Sequence, residues 1–283
     1  MKLMRVGPAG HEVPALLAED GRVLDLSPVT ADIDGRFLSS DGPARARTAL
    51  RRGHLPELDV TGLRTGAPVA RPGKVVCIGL NYRDHAEETG AAVPTRPVVF
   101  MKDPSTVVGP YDPVLIPRGS LKTDWEVELA VVVGRRARYL ASPEEALGCV
   151  AGYTISNDVS EREFQLEYSG QWDLGKSCET FNPLGPWLVT PDEIPDPRKL
   201  RLTTTVNGTP RQSGTTGNMI FDVAHLLWFL SQYMVLEPGD VVNTGTPAGV
   251  ALGLPGQPYL RPGDTVALGI DGLGSQRQTF ETA

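Results

Sequence analysis

Beyond residue 70 the chain falls into short apolar runs separated by Gly, Pro, Asn and Asp: PVVFM, PVLIP, VELAVVV, YTISND, GPWLVT, LRLTTTVNG, GDVVNTG and DTVALGI. Such runs predict β-strands, and strands at this density predict a sandwich, barrel or roll. One stretch changes period. In MIFDVAHLLWFLSQYM, Ile220, Val223, Leu226, Leu227 and Leu230 recur at helical spacing, which predicts a helix over residues 219–234 packed against a sheet. His225 falls inside this apolar helix and reads as a structural side chain.

The first 70 residues read as a small separate domain. After Leu3 to Val6, the runs VPALLAE and RVLDLS flank Asp20-Gly21, a pair that favours a tight hairpin. PARARTALRRG predicts one short helix with Gly53 as its terminator. The Gly- and Pro-rich TGLRTGAPVARPG then forms a linker, so the boundary falls near Arg71 and residues 71–283 form the larger domain.

Composition narrows the function classes. With 31 Gly and 25 Pro in 283 residues, turns are favoured over helix interiors, and a mostly β protein with some α is expected. A net charge of −7 opposes binding to phosphate backbones, so nucleic acid is not an expected partner. No run approaches the roughly 20 apolar residues of a membrane span, and MKLMRVGPAG lacks a signal-type apolar core, so neither membrane insertion nor export is expected. The three widely spaced cysteines, Cys77, Cys149 and Cys178, suit free thiols in a cytoplasmic compartment better than a disulfide framework. Neither of the common glycine-rich phosphate loops is present, which leaves nucleotide chemistry without support.

The candidate chemistry lies in five segments. In TDWEVELAVVVG, Glu126 and Glu128 share one face of a strand, while Trp125, Val127, Leu129, Val131 and Val133 line the other. Two like charges on a half-buried strand call for compensation, which a divalent cation held by oxygen ligands would supply; two solvated glutamates at an exposed strand end are the alternative. GYTISNDVS brings Asp158 to a strand end, as a third ligand or as a turn former. In GLNYRDHAEETG, Asn81 or Asp84 caps a short helix and His85 and Glu88 fall three apart, as a general-base dyad or as a surface ion pair. Lys176 sits beside Gly175 in GQWDLGKS, where an ammonium would stabilise an oxyanion or merely meet solvent. NTGTPAGV alternates Thr244 and Thr246 with Gly245, either to present backbone N–H groups to a carboxylate or simply to turn.

Taken together, these segments resemble the fumarylacetoacetate hydrolase family, whose pattern of NYxxHxxE, ExE, a later Asp, GKS and GTPxGV runs here in that order. The resemblance implies a mixed β-roll with a small N-terminal domain, usually a homodimer. It implies Glu126, Glu128 and Asp158 as ligands of Mg2+, with Mn2+ or Ca2+ as alternatives, and His85 and Glu88 as the water-activating pair on a mobile lid helix. Lys176 would stabilise the enolate or oxyanion. Gln165 and Thr246 would hold the oxo-acid end of the substrate, with Arg162 and Lys102 nearby. KTDWEVEL, SEREFQ, GQWDLGKSCETF and GPWLVT are further similar to bacterial hydrolases of 2,4-diketo acids, including 2,4-diketo-3-deoxy-L-fuconate hydrolases, often labelled ureidoglycolate lyase. Two positions depart from that pattern: Tyr168-Ser169 stands where many relatives have Arg-Gly, and Glu179 where Asp is usual.

The resemblance therefore implies hydrolytic C–C cleavage of a 2,4-diketo acid with release of pyruvate. Decarboxylation of oxaloacetate or isomerisation of a 2-hydroxydienedioate on the same site is the alternative. A catalytically silent binding protein is a third reading, opposed by the intact His85 and Glu88, since a binder has no need of a base.

Overall fold

The computed structural model describes the whole chain, Met1–Ala283. Its strands form two main sheets. The larger has eleven strands and runs from Val23–Asp25 through Val13–Leu17, Lys2–Val6, Asn182–Val189, Val150–Asn157, Val127–Val133, Val241–Asn243 and Val75–Gly79 to Val98–Lys102, with Thr65–Gly66 on Lys2–Val6 and Val107–Val108 on Asn182–Val189 beside this path. The second has five, in the order Thr209–Thr215, Arg201–Val206, Thr265–Ile270, Gly274–Thr282 and Val114–Ile116. Most pairs are antiparallel, but Val241–Asn243 runs parallel to Val75–Gly79 and Val114–Ile116 parallel to Gly274–Thr282. The fold is mostly β with mixed sheets and few helices, as the strand runs predict.

Alternation along Val127–Val133 explains the layering. Trp125, Val127, Leu129, Val131 and Val133 enter a core shared with Leu202, Val266 and Leu268 of the five-stranded sheet and with Leu226, Leu227 and Leu230 of the long apolar helix. Ala130 and Val132 point the other way, into a second core with Leu3, Leu16, Phe37 and Ala46 from the first 70 residues. The strand is thus buried on both faces, not half-buried as its pattern suggested. The cause lies outside its own sequence: the N-terminal segment covers the face that alternation alone would leave to solvent. That segment contains the expected hairpin, turning at Gly21 with φ +87°, and the expected helix, Gly42–Arg51, followed by Gly53 at φ +65°. Its strand Lys2–Val6 pairs with Asn182–Val189 and so extends the large sheet.

The apolar helix spans Val223–Ser231, shorter than the predicted 219–234. Asp222 makes it start late by accepting the backbone N–H of His225, a side-chain N-cap that the apolar periodicity hides. His225 itself stacks on Phe221 with ring centroids 5.1 Å apart, a packing role. No helix is long and apolar enough to cross a membrane.

Candidate active site

The register of two neighbouring strands assembles the acidic group. Val127 pairs with Asn157 and Glu128 with Ser156, and the next step is closed by Asp158 N–H donating to Glu126 O at 2.9 Å. In an antiparallel pair, opposed residues point to the same side. Glu126, Glu128 and Asp158 therefore converge, with one oxygen from each lying within 4.8 Å of the others, and all three are buried.

Buried carboxylates need partners. Lys176 Nζ lies 2.7 Å from Glu126 Oε2 and 3.0 Å from Asp158 Oδ2, while Lys102 Nζ lies 2.5 Å from Asp158 Oδ1. Arg162 bridges Glu126 Oε1 at 2.7 Å and Asp124 Oδ2 at 2.8 Å. Four carboxylates thus face three cations, and the one without an ionic partner is Glu128, which accepts only the N–H of Gly245, at 2.7 Å. Burial, followed by the charges of Asp158 and Glu126, pushes the Glu128 carboxyl well above its usual range. Burial also acts on Glu126, but Lys176 and Arg162 outweigh it and hold that carboxyl at about 2. Convergent oxygens with an excess of negative charge are the donor set of a hard divalent cation, magnesium or manganese, and the residues present fit one.

His85 and Glu88 lie on the helix Arg83–Glu88. His85 Nδ1 is 3.5 Å from Glu88 Oε2 but makes no hydrogen bond, so the pair is adjacent without being the hydrogen-bonded dyad its spacing suggests. The reason is a competitor: both Glu88 oxygens accept the N–H of Gly249, at 3.0 and 3.1 Å. Gly253 makes room for this, since a Cβ there would meet Glu88 Cδ at 2.4 Å. Neither Asn81 nor Asp84 caps the helix. Asn81 instead donates to Thr244 O and Phe221 O and accepts from Phe221 N, tying three loops together, and Asp84 accepts the N–H of His85.

Lys176 ends the short helix Asp173–Lys176, and Gly175 before it allows close approach, because a Cβ there would lie 2.4 Å from Glu161 O. Gln165 Oε1 accepts from Arg162 at 3.0 Å. The Thr246 hydroxyl donates to Val127 O at 2.9 Å and accepts from Gln212 Nε2 at 2.8 Å, so it holds a loop against the central strand and has no proton free for a ligand. His85, Glu126, Glu128, Gln165, Lys176 and Thr246 all line one cavity of about 270 Å³. Asp158, Lys102 and Glu88 stand behind that lining.

Two residues of this site escaped the sequence reading. Asp124 accepts from Arg162 and from the N–H groups of Trp125, Ala251 and Leu252, and so fixes both the arginine and a cavity loop. Its signal was available, since it stands two before Glu126 in the same alternation. Gln212 comes from the other sheet and carries no local signal; its Oε1 accepts Val127 N–H at 3.1 Å.

Compared with known families, residues 74–281 match the profile of the fumarylacetoacetate (FAA) hydrolase C-terminal region. The chain belongs to the fumarylacetoacetate hydrolase family. A provisionally named hydrolase of Burkholderia multivorans is 52% identical over the full length of both chains. Among solved members of the family, a fumarylacetoacetate hydrolase from Exiguobacterium antarcticum is 36% identical with a TM-score of 0.84, both chains fully covered. A 5-carboxymethyl-2-hydroxymuconate delta-isomerase from Mycobacterium smegmatis is 31% identical with a TM-score of 0.77, covering 100% of this chain and 99% of that one. A maleylpyruvate hydrolase from Sphingobium, solved with manganese(II) and pyruvate, is 25% identical with a TM-score of 0.82, both chains fully covered. The chain is thus an enzyme of a family that includes hydrolases and isomerases of oxo acids.

Proposed function

We propose that this enzyme is a magnesium- or manganese-dependent hydrolase that cleaves the C3–C4 bond of a 2,4-diketo acid and releases pyruvate. The observation that carries this reading is the convergence of three buried carboxylates beside a cavity that His85 and Lys176 also line. Glu126, Glu128 and Asp158 would hold the cation. When bound, it supplies Lewis acidity to the 1-carboxylate and 2-oxo group of the substrate.

The remaining steps fall to the chain. His85, with Nδ1 toward Glu88, would use Nε2 to take a proton from water, which adds to the C4 carbonyl. The C3–C4 bond breaks, the acyl group leaves as a carboxylic acid, and the bonding electrons pass to the pyruvate fragment as its enolate. The Lys176 ammonium would offset that charge, and the proton held by His85 would return to C3. Gln165 would orient the oxo-acid end. Thr246 would do so through its backbone N–H, since its hydroxyl is engaged.

A second reading is isomerisation or decarboxylation on the same residues, and the neighbours named as isomerases favour the first of these. Incubating the magnesium-loaded enzyme with acylpyruvates, fumarylpyruvate and oxaloacetate separates the two. Pyruvate with a stoichiometric acid product from an acylpyruvate supports hydrolysis; pyruvate and carbon dioxide from oxaloacetate with no acid product from any acylpyruvate, or rearrangement without cleavage, supports the second reading. The homodimer belongs to the same proposal, and light scattering in solution tests it.

A further inference from the structure

The cavity changes character along its length. Its lining joins a polar group, Glu126 and Glu128 with Arg162, Gln165, Lys176, His85 and two threonines, to an apolar group that includes Leu80, Phe100, Leu166 and Trp172. The change occurs at Phe100, whose ring lies 5.0 Å from Lys176 Nζ on one side and packs edge-on against Trp172, centroids 5.4 Å apart, on the other. Trp172 is held there by a missing side chain, since a Cβ at Gly79 would meet its Cζ3 at 2.4 Å. Leu80 joins the wall from left-handed backbone, φ +54°, which a bulky residue rarely adopts.

No free cation lines this outer part. The lysine and arginine that reach the cavity, Lys176 and Arg162, each already bridge two carboxylates. With Glu128 ionised as a cation ligand, the linked group of Asp124, Glu126, Glu128 and Asp158 against Lys102, Arg162 and Lys176 carries one excess negative charge. A divalent ion together with a singly charged 2-oxo acid brings that sum to zero. A second carboxylate on the ligand would enter an apolar wall with nothing to pair it, and an unpaired charge in such surroundings is costly.

We propose that the wall of Leu80, Phe100, Leu166 and Trp172 is a subsite for an uncharged, apolar acyl group, an alkyl or aryl chain beyond C4, and that the enzyme selects against 2-oxo dicarboxylates. The proposal rests on the metal and oxo-acid reading of the base of the cavity, but not on the reaction performed there.

Its test uses 2-oxohexanoate and 2-oxoadipate, two acids of the same length that end in a methyl and in a carboxylate. Neither has a 4-oxo group, so neither is cleaved at C3–C4 and affinity is read without turnover. Calorimetric titration of the magnesium-loaded enzyme should give at least tenfold tighter binding of 2-oxohexanoate. Trp172→Ala should reduce that preference and Trp172→Phe should preserve most of it. In parallel, kcat/KM should be higher for butanoylpyruvate than for maleylpyruvate.

Equal or tighter binding of 2-oxoadipate, or binding of neither acid, overturns the subsite. Preference for 2-oxohexanoate without hydrolysis of any acylpyruvate leaves the subsite standing and sinks the hydrolase reading. Hydrolysis confined to dicarboxylic substrates does the reverse. If Trp172→Ala does not fold, the two ligands on the wild-type enzyme still decide.

Discussion

The backbone N–H of Asp158 donates to the carbonyl of Glu126 at 2.9 Å, which locks two carboxylate-bearing residues side by side on adjacent strands. Neither can move away from the other without breaking the ladder of the central sheet. Repulsion between them is built into the fold and is offset locally by Lys176, which bridges both side chains. Glu128 has no such relief.

Glu128→Gln therefore separates stability from function. A carboxyl whose pKa is raised on folding costs stability once it ionises, so that cost is absent at low pH and grows as pH rises above the unfolded value. Glutamine removes the charge while still accepting the Gly245 N–H. The metal-free variant should melt about 2–4 °C higher than wild type at neutral pH, on the order of 1 kcal/mol. The rise in melting temperature that magnesium or manganese gives the wild type should be lost. A lower metal-free melting temperature would show that the negative charge on Glu128 is stabilising.

Asp124→Asn tests the residue that the sequence reading missed. It removes one of the two charge partners of Arg162 and points an amide at N–H groups that need an acceptor. Breaking a buried pair from one side costs roughly 3–5 kcal/mol. Urea denaturation should show a loss of that order, well above the effect of Asp196→Asn at an exposed ion pair. Losses of equal size at the two positions would contradict the role given to Asp124.

His85→Ala should divide the chemistry. Hydrolysis of an acylpyruvate should fall by about 10²- to 10⁴-fold, the usual contribution of a general base, while oxaloacetate decarboxylation, which needs no activated water, should fall much less. Glu88→Gln should act more weakly, because Glu88 is bound to Gly249 N–H and glutamine keeps one of its two acceptors. Steady-state assays of pyruvate and carbon dioxide follow both reactions, and an equal fall in both would mean that His85 positions substrate instead.

Much of this was readable from the chain. The i, i+2 spacing of Glu126 and Glu128 fixed a common face, and the strand end at Asn157-Asp158 supplied the third carboxylate, because local alternation sets which side a residue takes. What lay beyond reach was set by partners distant in sequence. The burial of Ala130 and Val132, further along the carboxylates' face of the strand, depends on residues 1–70, the Glu88–Gly249 bond joins positions 161 apart, and Gln212 arrives from the other sheet. The engaged Thr246 hydroxyl belongs to the same class, since its acceptor, Val127 O, lies 119 positions away. The start of the apolar helix was misjudged for a local reason: Asp222, embedded in an apolar stretch, is its N-cap and not part of its first turn.

The most direct test is diffraction from crystals grown with manganese, recorded at its absorption edge. One anomalous peak per chain, within about 2.0–2.6 Å of oxygens from Glu126, Glu128 and Asp158, is the predicted result, with the Lys176 ammonium displaced from between Glu126 and Asp158. No peak among these three carboxylates at saturating manganese, from enzyme that still turns over its substrate, would contradict the metal site.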